Sequence, residues 1–398
     1  MGPTDRSPTL PPGGGRAIFL IVMSGTSQKV GAGVDISLEE LQLAARNHSM
    51  PLEALRYDLT PVGLHYLLTH FDIPEVDPGA WRLHIGGAVG KPFALALDEL
   101  KAMPRVSAQV LLECAGNGRA LHSPRPISQP WLYEAVGNSE WTGTSLRPLL
   151  SGAAPNATAV EVVFAGLDRG VQGGIEQLYE RSLSVGEAQR ADAILAYEMN
   201  GEPLSPQHGY PLRLVIPGWY GMAHVKWLSS ITFVDQPFRG YQQESSYRVS
   251  SSDEDPGEPV TKILPRSLMI PPGIPDFMSR TRFVSPGQCV VEGRAWSGYG
   301  PIKRVRVSDD AGSTWREATL GAPVSEFAWR SWRYVWQAQV GEHELCCRAE
   351  DASGNEQPLR ATWNTGGYWN NEVQRIKVTV ANGVVPVQVP ASGASLNP

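Results

Sequence analysis

The chain has 398 residues and a formal net charge of −6, which allows two domains and makes a general nucleic-acid footprint improbable. No apolar run approaches the roughly 20 residues that a membrane-spanning helix needs. The 4 cysteines include no Cys-x-x-Cys pair, which argues against a zinc ribbon or a thioredoxin-type site and fits a reducing compartment.

The N-terminal part of the chain begins with a Pro/Gly-rich stretch, which we predict to be a disordered leader over residues 1–30. Its apolar run, residues 17–23, is short for a signal sequence, and no twin arginine precedes it. A cytoplasmic location is expected, with a periplasmic one open if the true N-terminus differs. A capped helix is predicted over residues 37–46.

The rest of the chain contains two predicted domains, joined by a linker and followed by a tail. Residues 31–240 alternate short β-type runs with turns and helices, which predicts an α+β domain. Residues 241–275 are rich in serine, proline and acidic side chains and predict a linker. Residues 276–385 contain short strands at immunoglobulin-like spacing, so an all-β sandwich is expected there, followed by a tail over 386–398.

A cysteine loop with the sequence ECAGNGR occupies residues 113–119, directly after a predicted strand over 108–112. The small residues around Cys114 would let a bulky group approach the backbone, and Arg119 adds positive charge. This arrangement suits a soft metal bound through one thiolate, with an anionic reactant beside it. A hydrolase that uses Cys114 as its nucleophile is the competing interpretation.

A second polar segment carries His208, Arg213 and Lys226 around glycine-rich turns and one strand. These side chains could converge on a phosphate or on the polar edge of a pterin, because arginine binds phosphate as a fork and lysine as a point charge. The alternative is a surface strand with scattered charges.

Four blocks of this sequence together resemble the sulfite oxidase family, in the same order and at the same spacing. They are the ECAGNGR loop, LAYEMNGEPL at 195–204, HGYPLR at 208–213 and VKW at 225–227. The resemblance covers residues 55–380. It implies molybdenum held by molybdopterin in the α+β domain and an immunoglobulin-like domain that forms a homodimer.

The resemblance also implies roles for individual residues. Tyr247 matches the family's active-site tyrosine, although Tyr241 is a rival for that position. The resemblance assigns metal ligation and catalysis to Cys114, further catalytic roles to Arg119, Trp131, Tyr247 and Arg375, and cofactor binding to His70, Asp168, His208, Arg213 and Lys226.

One position departs from the family pattern. The family carries a substrate-binding arginine two residues before the histidine that matches His70, and this chain has Leu68 there. Residues 46–48 spell the family's Arg-Asn-His, but they precede the segment that leads into this arginine, so we align His70. A missing positive charge would weaken attraction for a dianion and admit a less charged reactant.

The predicted function is that of a mononuclear molybdenum oxidoreductase that oxidises sulfite or a related small sulfur compound. The chain has no haem-attachment motif, so electrons would pass to an external acceptor, a cytochrome or oxygen. Two alternatives remain: a reductase of S- or N-oxides on the same site, and a cofactor-binding homologue without sulfite activity.

Overall fold

A computed structural model describes residues 36–190 and 192–383. The predicted leader, 1–30, and the predicted tail, 386–398, lie outside the described residues. Within the described part of the chain, no helix combines the length and the apolar character needed to cross a membrane.

The helices are short and lie between strands, except for the first. Ser37 caps that helix: its side chain accepts from the Glu40 backbone N–H, while the Glu40 carboxylate accepts from the Ser37 N–H, which confirms the predicted helix and its cap. The α-helices are α1 (Leu38–Arg46), α2 (Leu97–Lys101), α3 (Leu146–Gly152), α4 (Val185–Arg190) and α5 (Tyr241–Glu244). Short 3₁₀ helices cover Leu52–Arg56, Val62–Leu64, Arg119–Leu121, Pro206–His208 and Gly221–Ala223.

The first part of the fold contains two larger sheets. Its strands are β1 (Leu83–Gly87), β2 (Phe93–Leu95), β3 (Arg105–Glu113), β4 (Val136–Ser145), β5 (Glu161–Gln172), β6 (Ile175–Ser184), β7 (Ile194–Met199), β8 (Glu202–Pro203), β9 (Arg213–Val215), β10 (Leu228–Val234), β11 (Arg248–Val249) and β12 (Glu258–Pro259). One sheet has the order β2-β1-β10-β5-β6, and the other has the order β3-β4-β7-β8, with β9 also paired to β7. Strands β11 and β12 form a separate pair.

Strand β3 carries the chain from the surface into the interior. Its first half alternates between exposed and partly buried residues, whereas its last four residues are all buried. It pairs antiparallel with β4, ending with Glu113 opposite Val136. The cysteine loop therefore begins at the buried end of the β3–β4 pair.

The second part of the fold is an all-β sandwich. Its strands are β13 (Arg266–Met269), β14 (Ile274–Pro275), β15 (Arg282–Val284), β16 (Gly287–Trp296), β17 (Ile302–Ser308), β18 (Arg316–Glu317), β19 (Thr319–Leu320), β20 (Arg330–Ala338), β21 (Gly341–Asp351) and β22 (Gln374–Val380). Sheets of order β13-β16-β20-β19 and β14-β15-β22-β21-β17-β18 enclose a core that includes Trp332 and Trp336. The predicted α+β domain followed by a sandwich is confirmed.

The sandwich starts earlier than its composition indicated. Strand β13 lies within the predicted linker, 241–275, yet it pairs with β16. Two residues of the sandwich, Leu268 and Trp296, join the apolar core of the first part of the fold. The sandwich thus packs directly on the region that carries the cysteine loop.

Candidate active site

The cysteine loop is a tight turn held by its own backbone. The Cys114 N–H donates to the Ala135 carbonyl at 2.9 Å, and the Asn117 N–H donates to the Cys114 carbonyl at 2.9 Å. Gly118 has a φ of 90°, in the left-handed region that favours glycine.

The two glycines of this loop serve packing within the chain. A Cβ on Gly116 would lie 2.6 Å from Nη2 of Arg119, and one on Gly118 would lie 2.8 Å from the Asn370 carbonyl oxygen. The expectation that these glycines leave room for a bulky ligand is therefore wrong, because a guanidinium and a sandwich-domain residue occupy that space.

A cleft nevertheless opens beside Cys114. Its empty volume is about 630 Å³, including space open to solvent. The lining residues are His65, Tyr66, Leu67, Leu68, His70, Leu112, Cys114, Asp168, Tyr179, His208, Arg213, Gly221, Met222, His224, Lys226 and Tyr247. Seven of the ten site residues predicted from sequence are in this wall, and Arg119 and Trp131 lie beside Cys114 just behind it.

The Cys114 sulfur is buried in a mixed environment. Burial raises the pKa of the Cys114 thiol, whereas the positive charge of Arg119 acts in the opposite direction. The indole N–H of Trp131 is buried without an aligned hydrogen-bond partner and lies close enough to favour the thiolate. A bound cation would complete this environment, because metal ligation requires the deprotonated sulfur.

Arg119 lies between the cysteine loop and a loop of the sandwich domain. Its Nε donates to the Gly366 carbonyl at 2.8 Å, and its guanidinium carbon lies 5.0 Å from the centre of the Tyr368 ring. It has no carboxylate partner among the described residues. Its charge also lowers the pKa of His70, after the larger effects of burial and Lys226.

Tyr247 and His70 form a hydrogen-bonded pair in the cleft. The Tyr247 hydroxyl lies 2.7 Å from Nε2 of His70, whose ring centre is 4.8 Å from that of Tyr179. Burial lowers the pKa of His70 to about 4, so the imidazole is neutral at pH 7. Tyr241 instead packs against Gly173 at the turn between β5 and β6, outside the cleft wall.

The opposite wall of the cleft carries the second polar segment. Arg213 donates from Nη1 to the His208 carbonyl at 3.0 Å and stacks 4.6 Å from the centre of the Trp141 ring. The Lys226 ammonium donates to the carbonyls of Leu68, at 2.9 Å, and Gln207, at 3.0 Å. Burial, together with the charge of Arg213, lowers the pKa of Lys226 to about 7.

Several polar atoms of this wall lack partners within the described part of the chain. Asp168 Oδ1 and Arg213 Nε are buried without a hydrogen bond, and Arg213 and Lys226 form no ion pair with a carboxylate there. Burial raises the pKa of Asp168 to about 6. Since buried polar groups are normally satisfied, this wall fits a ligand with a phosphate and a polar ring edge, as molybdopterin has.

Arg375 is a correction to the sequence-based prediction, because the structure does not bring it to the cleft. Its Nη1 lies 2.6 Å from the Glu344 carboxylate and also donates to the Ala311 carbonyl at 3.2 Å. The residue lies on β22, which pairs with β21, so its guanidinium binds partners within the sandwich domain.

Several residues of the cleft wall were not assigned by sequence reasoning, among them Tyr179 and His65. Tyr179 is buried between less buried neighbours on β6. His65 donates from Nδ1 to the Tyr66 carbonyl at 2.9 Å. Tyr368, behind Tyr247, lies in a loop with no periodicity to signal it.

No group of three His, Cys, Asp or Glu side chains within the described ranges could hold a metal.

Comparisons with known proteins agree with this geometry. Residues 70–242 match the oxidoreductase molybdopterin binding domain, and residues 267–381 match the Mo-co oxidoreductase dimerisation domain. The chain is 33% identical over 340 residues to mitochondrial sulfite oxidase of Rattus norvegicus, covering 81% of this chain and 62% of that protein. It therefore spans less than two thirds of the length of that relative.

Two further matches cover more of the compared protein. Sulfite oxidase of Gallus gallus is 34% identical over 329 residues, 78% of this chain and 70% of that protein. The crystal structure of the sulfane dehydrogenase SoxCD from Paracoccus pantotrophus matches with a TM-score of 0.73 and 27% identity, over 84% of this chain and 86% of that chain. With a cysteine thiol in a cleft that suits molybdopterin, the chain belongs to the sulfite oxidase family of molybdopterin-dependent oxidoreductases.

Proposed function

We propose that this protein oxidises a small sulfur compound, sulfite or a sulfane-type sulfur, and passes the electrons to an external acceptor. The observation that carries the proposal is the Cys114 sulfur in the wall of a cleft whose other side presents unpaired cations. The names of the relatives, sulfite oxidase and sulfane dehydrogenase, support a sulfur substrate.

The cofactor would be held from two sides of the cleft. The Cys114 thiolate would ligate molybdenum, while Arg213 and Lys226 would bind the phosphate and Asp168 and His208 the polar ring edge. When bound, the molybdenum cofactor supplies two-electron redox chemistry with transfer of an oxygen atom. The protein supplies position, charge and proton acceptors.

Charge at the substrate end of the cleft would come from Arg119. Its guanidinium lies near Cys114, Tyr247 and His70, where it would hold an anionic substrate. The side chain at position 68 is an apolar leucine in the cleft wall. A substrate with less charge than a sulfite dianion therefore fits this end of the cleft better.

The Tyr247–His70 pair would move a proton. Oxidation of the substrate by one oxygen atom from water releases two protons and two electrons. His70 is neutral at pH 7, so its Nε2 can accept one proton through the Tyr247 hydroxyl, and the second proton passes to solvent through the open side of the cleft. The electrons leave to the external acceptor.

Elemental analysis combined with a substrate panel tests this function. We expect one molybdenum per chain, and reduction of ferricyanide with sulfite or thiosulfate as donor. Turnover of dimethyl sulfoxide with reduced viologen, and none with sulfur donors, would instead favour the reductase. Cofactor-loaded protein that is inactive with every substrate would favour the binding homologue, and metal-free protein from cofactor-replete cells would refute the proposal.

The assembly and the location are further parts of the proposal. The dimerisation-domain match over residues 267–381 supports a homodimer. Sedimentation velocity should show twice the mass of the 43.2 kDa chain, and a monomer at micromolar concentration would contradict it. The cytoplasmic location stays a prediction.

A further inference from the structure

Glu113, the residue before Cys114, is bound by two side chains of the sandwich domain. Nε of Arg266 lies 2.8 Å from Glu113 Oε1, an ion pair without an aligned hydrogen bond, and the Trp296 indole N–H donates to Oε2 at 2.7 Å. Asn117, within the cysteine loop, donates to Oε1 at 2.9 Å. The side chains of Glu113 and Arg266 are 0% and 1% exposed, so water contributes nothing to this pair.

The backbone of the cysteine loop is bound from the same side. The Asn370 side chain donates to the Gly118 carbonyl at 2.8 Å, and the Trp369 N–H donates to the Ala115 carbonyl at 3.2 Å. Arg266 also donates from Nη2 to the Asn117 carbonyl at 3.3 Å. Sandwich residues thus hold three of the carbonyls that follow the buried carboxylate.

A buried ion pair at this place needs a reason other than stability. Desolvation of two charges offsets most of their attraction, and apolar residues of similar volume often stabilise a protein equally well. The pair does, however, fix the position of the residue that precedes Cys114, because both of its members are buried and Arg266 belongs to the sandwich domain.

We propose that Glu113 and Arg266 are positioning residues, which clamp the cysteine loop so that the Cys114 thiolate is held for molybdenum. The sandwich domain is then part of the active site as well as a dimerisation domain. This inference rests on the proposed function, because it takes Cys114 as the metal ligand.

The clamp predicts that its two members act together. Arg266→Gln removes the ion pair with Glu113 and the hydrogen bond to the Asn117 carbonyl, so the cysteine loop loses two contacts with the sandwich domain. The double variant with Glu113→Gln leaves no unpaired buried charge, and its two amides can hydrogen-bond to each other.

The first experiment measures molybdenum retained by the purified holoprotein after gel filtration. Residues that orient a metal ligand typically contribute ten- to a hundredfold to metal affinity, so we expect Arg266→Gln to lower retention by about tenfold and the double variant to recover most of it. Arg282→Gln is the matched control, since Arg282 is a buried sandwich arginine whose hydrogen bonds, within the described residues, go to the carbonyls of residues 271–273 and not to the cysteine loop. It should retain molybdenum fully.

The second experiment measures hydrogen–deuterium exchange of the backbone amides of residues 114–119 in cofactor-free protein. We expect exchange to become about tenfold faster in Arg266→Gln, because the loop loses contacts with the sandwich domain, to slow again in the double variant and to be unchanged in Arg282→Gln. Arg266→Lys, which keeps the charge but lacks the planar guanidinium, replaces Arg266→Gln if that variant does not fold, and should show the same faster exchange and the same loss of molybdenum.

The two experiments separate this inference from the proposed function. Unchanged retention in Arg266→Gln, or loop exchange that is as slow in Arg266→Gln as in the original chain, would overturn the clamp. A wild-type chain that never contains molybdenum, yet shows faster loop exchange in Arg266→Gln, would overturn the function and leave the clamp intact.

Discussion

Buried charges are paired on one side of the cleft and lack close partners on the other. Behind Cys114, the carboxylate of Glu113 is paired with Arg266 and also accepts two hydrogen bonds. Across the cleft, Arg213 and Lys226 form no close ion pair in the described part of the chain, their charges oppose each other, and the Asp168 carboxylate offsets the Lys226 charge only in part. The first side is complete without a ligand, whereas the second needs an anion to offset the cost of its buried cations.

The difference separates residues that stabilise the fold from residues that are arranged to bind a ligand. Burial lowers the pKa of Arg213 to about 10 and that of Lys226 to about 7, and both directions mean that the folded protein disfavours the charges. Such groups in a cleft are typical of functional sites. The four predictions below test the comparison, in order of decreasing effect.

Cys114→Ser should have the largest effect, because it removes the one thiol among the described residues that line the cleft. We expect turnover to fall by at least about a hundredfold, beyond the loss typical of residues that merely orient a ligand. Circular dichroism should show an intact fold. An active, metal-loaded serine variant would contradict the ligand assignment.

Lys226→Met should act in opposite directions on the loaded and cofactor-free protein. We expect cofactor content to fall by about tenfold, because a phosphate contact is lost. The melting temperature of the cofactor-free chain should rise, because an uncompensated cation is removed. In contrast, Arg266→Met should lower it, since Glu113 then loses its partner. A lower melting temperature for both variants would remove the distinction between the two sides.

The stability of the cofactor-free protein should rise with pH through Lys226. The pKa of this lysine is about 7 in the folded chain and 10.5 as a free side chain, so between these values the unfolded state binds more protons. The free energy of unfolding therefore increases from pH 7 to pH 10, by at most about 5 kcal/mol from this group. Urea titrations of wild type and Lys226→Met isolate the effect, and equal slopes in the two proteins would refute it.

Leu68→Arg should have the smallest effect and tests the substrate end of the cleft. The leucine lines the cleft, and its carbonyl accepts from Lys226. An added cation should lower the Michaelis constant for sulfite by about tenfold, a gain of about 1.4 kcal/mol. A neutral sulfur substrate provides the control and should show no gain. No change for sulfite would mean that the segment around His70 is misaligned with the family.

The sequence predicted a helix or strand well where the interactions that define it join residues close together in the chain. The Ser37 cap and its partner Glu40 are three residues apart, so the start of α1 was readable. The strand predicted over 108–112 lies within β3, because an apolar run of strand length is a signal carried by neighbouring residues alone. The start of the sandwich was missed because β13 is defined by its pairing with a distant strand.

The candidate site shows the same division. Sequence alone determined the cysteine loop, the family and the polar segment at 208–226, since these are contiguous motifs whose chemistry is carried by residue type and spacing. Only tertiary structure decided that Arg375 pairs with Glu344 away from the cleft, that Arg119 fills the space beside Gly116, and that Arg266 clamps Glu113. The physical reason is that a charged side chain binds the nearest compensating group in space, and strand pairing and domain packing bring that group from distant parts of the chain.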